Sequence, residues 1–374
     1  MTKPLNLKLL ILLCANTLLL SCSEPQSQST TVVTADQALT SQELSDQSAN
    51  TFQRAGQGAR DGEWQAFGGD EGSTKYTALD GINIDNVADL EVVWRRPALD
   101  QHYLDINPNQ RYTTNWNAAP LVINGVGYVT NGVGLVEAFH PGTGETLWVQ
   151  EPPGGAEGLP GASTRGAAYW SEGDEQRLFV QRGTFLYALN PEDGTTFDDF
   201  GVDGRVDLQL FPVEFERFRW GGVPMVVRDV VVIGQAMSDT FPNKEAFRGD
   251  VHAFDVRTGA LRWTYHTIPQ EGEFGTDTWQ DRSWSYTGHA PVWALFSADE
   301  ELGLVYMPIS SATNDMYGGH RIGDNLFSQS LVAVNAETGE RVWHYQTVHH
   351  GLWDYDPPAA PILMDINVEG REIK

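Results

Sequence analysis

Two carboxylates, Asp354 and Asp356, stand two residues apart in the stretch 349–358, which reads HHGLWDYDPP. On an extended strand, residues i and i+2 project to the same side, so both acids are expected to face one site. Two acids aimed at one point repel each other unless a cation or a shared proton lies between them. The competing reading is an ordinary acidic loop, because paired carboxylates mark functional sites only as a tendency. His349 and His350 are expected to line the same pocket. A histidine pair without further nitrogen ligands does not by itself make a zinc site.

The elements that must carry this stretch begin after a targeting segment. Lys3 and Lys8 precede an apolar run over residues 9–20. That run is shorter than the roughly 20 residues needed to cross a bilayer and fits a secretory signal peptide over residues 1–21. It ends Leu19-Leu20-Ser21-Cys22, which resembles a bacterial lipobox, so Cys22 is expected to carry lipid; a plain signal peptide is the alternative. Ser23 after the cysteine favours outer-membrane sorting, and the site is expected to face the periplasm. Cys14 and Cys22 are the only cysteines, and no Cys-x-x-Cys-His occurs. A lipidated Cys22 would leave no disulfide, no thiolate metal site and no catalytic thiol, and the chain itself attaches no c-type haem. The net charge of −26 argues against nucleic acid, whose phosphates call for clustered Lys and Arg. Beyond the leader no apolar run is long enough for a transmembrane helix, so lipid is the expected membrane attachment.

Residues 22–60 are rich in Ser, Thr, Gln, Asp and Ala and too poor in large apolar side chains to offset ordering entropy, so they read as a flexible tether. From residue 61 the pattern is β-like. Residues 120–130 (PLVINGVGYVT) place Asn124-Gly125 between two apolar runs, a strong hairpin signal, and 224–234 (PMVVRDVVVIG) repeat the shape around Arg228-Asp229. A longer motif recurs four times: EAFHPGTGETLW at 137–148, YALNPEDGTTF at 187–197, HAFDVRTGALRW at 252–263 and VAVNAETGERVW at 332–343. Each copy has Ala, a polar turn with glycine (Gly144, Gly194, Gly259, Gly339) and then an aromatic residue. Glycine supplies the positive φ of a tight turn, and the aromatic is expected to pack between neighbouring units. Trp94 closes an earlier unit. Repeated antiparallel sheets of this kind predict an all-β propeller.

With its tryptophan the repeat resembles the docking repeats of quinoprotein dehydrogenases, which use pyrroloquinoline quinone (PQQ). Residues 63–93, Thr164-Arg165-Gly166, GVDGRVDL at 201–208, Val292-Trp293-Ala294, Gly318-Gly319-His320-Arg321 and Gly323-Asp324-Asn325 agree with that family, and the resemblance runs from residue 63 to 374. The nearest branch resembles the membrane-associated glucose and polyol enzymes; the adjacent-cysteine disulfide of the methanol branch is absent. The resemblance implies an eight-bladed propeller, of which this chain covers the first four to five blades. It implies Asp354 as the base that removes the substrate hydroxyl proton and as a metal ligand. Asp356 matches an extra acid at the metal that some branches associate with lanthanide use; Ca²⁺ is the first expectation. Trp293 matches the flat floor under the PQQ ring, against the simpler reading of a core tryptophan. Glu245, the alternative being a solvated loop charge, and Thr313 (or its neighbour Asn314) match further ligands, with Thr313 also near the cofactor. Arg165 would hold a PQQ carboxylate, the alternative being a structural ion pair, with Arg95 a second candidate. Asp324 and Asn325 read as structural.

By the family pattern the chain stops mid-blade, before an expected PQQ-contacting lysine, which implies a C-terminally truncated sequence. The implied function is oxidation of an alcohol, sugar or polyol, with electrons passing to ubiquinone or a cytochrome. The alternatives are a non-catalytic propeller lipoprotein of the outer-membrane assembly type, which has no use for the WDYD stretch, and a decayed family member that binds PQQ poorly.

Overall fold

The computed structural model describes residues 58–373, apart from 60–61, 111, 114–115, 153–164, 211–221 and 236–242. The expected signal peptide, Cys22 and all but the last residues of the expected tether lie outside the described residues. Order is present by Ala59, which is buried and donates its N–H to Tyr76 O at 2.9 Å.

Four antiparallel four-stranded sheets follow one another, each with its strands in sequence order. The first holds β1 (Leu121–Ile123), β2 (Val126–Thr130), β3 (Val136–Phe139) and β4 (Thr146–Val149). The second holds β5 (Ala167–Glu172), β6 (Glu175–Arg182), β7 (Phe185–Leu189) and β8 (Arg205–Asp207). The third holds β9 (Met225–Val227), β10 (Val230–Ile233), β11 (Val251–Asp255) and β12 (Leu261–Tyr265). The fourth holds β13 (Ser297–Asp299), β14 (Leu304–Ile309), β15 (Ser330–Asn335) and β16 (Arg341–Gln346), and a hairpin, β17 (Ile366–Val368) and β18 (Arg371–Ile373), follows. The first strands β5, β9 and β13 lie against one another, as blades around an axis require.

Between neighbouring blades both faces of the inner strands are buried, and the strand period of two divides their side chains between two neighbours. In β10, Val230 and Val232 pack toward the fourth blade, while Val231 and Ile233 pack toward the second. This is why the strand is an unbroken valine-isoleucine run. Asn124-Gly125 forms the expected two-residue turn with φ of 50° and 78°. Arg228 adopts φ 49° in the matching turn, and its guanidinium meets Glu337 at 2.8 Å on the fourth blade.

The recurring motif is the outer hairpin of each blade. Its alanine stands opposite the aromatic, as in Ala138 with Trp148, Ala253 with Trp263 and Ala333 with Trp343, so that a small residue faces a large one. The indole N–H then reaches into the next blade's turn. Trp94 donates to Pro141 O at 2.9 Å, Trp148 to Pro191 O at 3.0 Å and Trp263 to Ala336 O at 2.7 Å. Blade two departs from this pattern, having Phe197 instead of a tryptophan. There Arg177 stacks on Phe197 at 4.1 Å and donates to Arg257 O at 2.9 Å, so a guanidinium does the work of the indole N–H.

Within blade three, His252 is buried and pairs through Nδ1 with Thr264 Oγ1 at 2.9 Å. Burial pushes its imidazole down from the ordinary 6.5 to about 4. His289, in the loop before β13, is shifted the same way for the same reason. A depressed folded pKa means that the unfolded chain binds the proton more tightly. The associated stability is therefore present above pH 6.5 and is lost as pH falls toward 4. At about 1.4 kcal/mol per tenfold change in proton affinity, the His252 contribution is on the order of 3 kcal/mol. His252→Gln, which keeps a partner for Thr264, is expected to remove about half of the fall in Tm between these pH values, leaving His289 the rest. An unchanged slope by calorimetry would assign the acid sensitivity elsewhere.

Candidate active site at one end of the blades

In a four-stranded antiparallel blade, the connection from second to third strand and the connection to the next blade emerge at the same end. Five such connections contribute to the site: residues 165–166 before β5, 243–250 before β11, 266–296 before β13, 310–329 before β15 and 347–365 after β16. The last three are tied by backbone hydrogen bonds. Ala290 N donates to Ser311 O at 2.8 Å, Thr313 N to Gly288 O at 3.0 Å, and Thr347 N to Gln329 O at 2.9 Å.

At the centre lies Trp293. Its indole N–H donates to Asp356 Oδ2 at 2.7 Å, and the other oxygen of Asp356 accepts from Ser311 N at 2.6 Å. The ring plane is thus fixed by a carboxylate that is itself held by a strand end. The Arg165 guanidinium sits 5.1 Å from the Trp293 ring centroid and donates to Trp293 O at 3.0 Å. A cation over an indole face at this distance is attracted by the ring quadrupole. Burial lowers the Arg165 pKa, and among the described residues no carboxylate forms an ion pair with it.

Thr313 is fully buried, and its hydroxyl pairs with His289 Nδ1 at 2.8 Å. With its pKa near 4, opposed only by the Asp356 charge, His289 is neutral at pH 7. Asp354 follows at φ 53°, half-buried, with its N–H donating to Asp315 O at 3.3 Å.

A sequence model described as PQQ: Glucose/ethanol/alcohol dehydrogenase, beta-propeller domain, matches residues 64–374. The chain belongs to this family. Quinoprotein glucose dehydrogenase A of Acinetobacter calcoaceticus is 29% identical over 345 residues, covering 84% of this chain and 41% of that protein. The dehydrogenase subunit of the quinone alcohol dehydrogenase of Gluconobacter oxydans is 30% identical over 343 residues, with the same coverage of 84% and 41%. Among solved structures, the quinohemoprotein alcohol dehydrogenase of Comamonas testosteroni superposes with a TM-score of 0.68 at 25% identity, over 87% of this chain and 48% of that one. The chain therefore spans about two fifths of the length of these curated relatives.

Within this PQQ-family propeller the expected residues do not all meet. Trp293, Asp356 and Arg165 form one contact chain, and Thr313 joins it through His289. Glu245 stands at the rim, exposed, in an ion pair with Lys244 at 3.5 Å and beside His320. Arg95 is exposed; its neighbour Arg96 is the engaged one, pairing with Glu137 at 2.8 Å. His349 and His350 pack on the 323–325 turn, with His350 Nδ1 3.1 Å from Gly323 O. Asn325 is buried and structural, as expected, because it grips Arg321.

The extended-strand premise for the acid pair does not hold. Residues 353–357 form no strand, and Asp354 is left-handed, so the side-to-side rule for i and i+2 does not apply. The two acids are separately held: Asp356 by Trp293 and Ser311, Asp354 through its backbone on Asp315.

The residues present fit PQQ: a planar indole clamped at its edge, and a half-buried guanidinium on its face without an acidic partner among the described residues. They do not form a closed metal cage. Among the described residues no three of His, Cys, Asp and Glu stand close enough to hold a metal. His289, Ser311 and Arg321 escaped the sequence reading. Only Arg321 had a visible signal, in GGHR just before the GDN turn.

Proposed function

We propose that this chain forms the cofactor-facing sector of a PQQ-dependent dehydrogenase acting on the CH–OH group of an alcohol, sugar or polyol. The single observation that carries this reading is the Arg165–Trp293–Asp356 arrangement: a flat floor, an edge clamp and a cation without an acidic partner among the described residues. PQQ, when bound, supplies the hydride-accepting quinone. Trp293 stacks the ring, and Arg165 offers its free N–H groups to a ring carboxylate. Asp354 takes the hydroxyl proton of the substrate. Asp356 keeps the indole level and excludes other rotamers.

A cation, Ca²⁺ or a lanthanide, is proposed beside Asp354 and Asp356 on the family resemblance; as placed, the two acids are separately held and would have to turn toward it. Glu245 and Thr313 join this donor set only if Lys244 and His289 release them. Cys22 is proposed as a lipid anchor facing the periplasm, supported by the apolar run that ends in Leu-Leu-Ser-Cys. Ubiquinone or a cytochrome is proposed as electron acceptor, since a reduced quinone cofactor must pass its electrons on before the next turnover. A non-catalytic scaffold would have no need of an enclosed cation over an indole face.

Titrating the protein with PQQ and following indole quenching tests this reading. Saturable one-to-one uptake is expected. Arg165→Leu is expected to weaken it about 10- to 100-fold, the worth of a charge-assisted hydrogen bond of about 1.5–3 kcal/mol. Equal affinity in the variant would move the cofactor away from Trp293.

A further inference from the structure

Arg321 is the largest side chain withdrawn completely from solvent among the described residues. A buried guanidinium is costly unless its donors are met, and burial pulls its pKa down to about 10, with Asp315 opposing. Beside the charge of the buried Asp315, the cost is met by loop backbone and one amide. Nε donates to Thr313 O at 3.0 Å, and one NH2 proton goes to Asn314 O at 3.1 Å. The second NH2 proton goes to Gly351 O at 2.7 Å, and NH1 donates to Asn325 Oδ1 at 2.8 Å. Asn325 returns a bond from Nδ2 to Arg321 O at 2.7 Å. Four of the five N–H donors of the guanidinium are thereby fixed in its plane.

These contacts have a particular reach. Thr313 and Asn314 belong to the connection before β15, whereas Gly351 belongs to the segment that carries Asp354. Between the two, Asp354 N–H meets Asp315 O at a long 3.3 Å. That bond is too weak to set the position of the carboxylate alone. Two short bonds flank Asp354: Arg321 to Gly351 O at 2.7 Å three residues upstream, and Ser311 N to Asp356 Oδ1 at 2.6 Å two residues downstream.

We propose that Arg321 is a positioning residue of the acid segment, holding it from the upstream side of Asp354. Its planar fork fixes the Thr313–Asn314 backbone and the Gly351 carbonyl relative to each other, and so helps to set where Asp354 stands. It touches neither substrate nor cofactor. The proposal rests on the reading of Asp354 as the base, and the test separates the two.

Arg321→Lys keeps the charge but replaces a planar fork with a point donor that cannot span three carbonyls and an amide. Asn325→Ala is a milder companion that removes only the grip on NH1; it carries the test alone if the lysine variant does not fold. The first readout is amide hydrogen exchange over residues 350–356 in PQQ-free protein. Exchange there is expected to quicken about tenfold or more while β14 and β15 stay protected. The second is dye-linked oxidation after PQQ loading. Here kcat is expected to fall about 10²-fold for an acid displaced by an ångström, with KM and PQQ affinity little changed. Unchanged exchange over 350–356, or a fall in apparent kcat no larger than the fraction of protein that is unfolded, would overturn the positioning role. Asp354→Asn run beside them reports separately on the base: if that variant keeps its activity, the reading of Asp354 fails whatever the exchange data show.

Discussion

Asp354→Asn is expected to lower dye-linked oxidation by about 10²- to 10⁴-fold, the worth of a positioned general base, while PQQ uptake stays within a fewfold of the parent. Asparagine is the informative replacement because of the backbone. Asp354 sits at φ 53°, a region that Asn and Asp enter readily and that most other residues avoid. The substitution therefore removes the titratable oxygen without straining the segment, and the bond from its N–H to Asp315 O is preserved. Asp356→Asn provides the contrast. Both oxygens of Asp356 accept N–H bonds, from Trp293 and from Ser311. An amide has one accepting oxygen, so its NH₂ group would face a donor and the indole clamp would loosen. That variant is expected to lose PQQ affinity first and turnover only in consequence. Measuring kcat and PQQ affinity for both variants distinguishes base from clamp. Full turnover in Asp354→Asn would remove it from the chemistry.

Much of the architecture is legible in the residues because the propeller repeats a local solution. Alanine opposite tryptophan, glycine in the turn and an aromatic after it recur because each blade must offer a flat slot to its neighbour. Asn124-Gly125 announces its hairpin because both residues tolerate positive φ. Arg228 does not announce its own, and its left-handed turn is held from outside by Glu337 on another blade. Phe197 illustrates the same limit. Its motif reads like the others, yet the inter-blade bond comes from Arg177, a residue twenty positions upstream.

The site is less legible for a related reason. Trp293 and Asp356 carry their types on the surface of the sequence, and the structure joins them. The pairing of Asp354 with Asp356 by strand alternation fails because a left-handed residue breaks the alternation at the very position it was meant to place. Three of the four acceptors of Arg321 lie in its own loop, but Gly351 O, which joins it to the acid segment, comes from the next connection, and His289 meets the Thr313 hydroxyl from a different loop. Partners brought together across connections have no fixed spacing within one segment. Glu245 misses the cluster because an adjacent lysine gives it a partner at the rim.

Gly194→Ala is expected to destabilise the protein by about 2–4 kcal/mol, combining a left-handed alanine with overpacking against a ring. Gly194 has φ 77°, and a Cβ there would come 2.5 Å from the Trp148 ring. The indole is pinned by its bond to Pro191 O, so it cannot withdraw without losing that bond. Gly125 supplies an internal reference. Its φ is 78°, almost the same, but a Cβ there meets nothing within 4 Å. Gly125→Ala should therefore cost only the backbone strain of about 1–2 kcal/mol. The difference between the two, read from denaturant midpoints at constant slope, is the energy of the tryptophan dock with backbone strain cancelled. If the docks hold the blades together, Gly339→Ala should behave like Gly194→Ala, because Trp263 stands 2.7 Å from its Cβ position. Equal costs at Gly125 and Gly194 would mean that the rings yield freely, and that the apolar faces between blades, rather than the indole slots, set the spacing of the propeller.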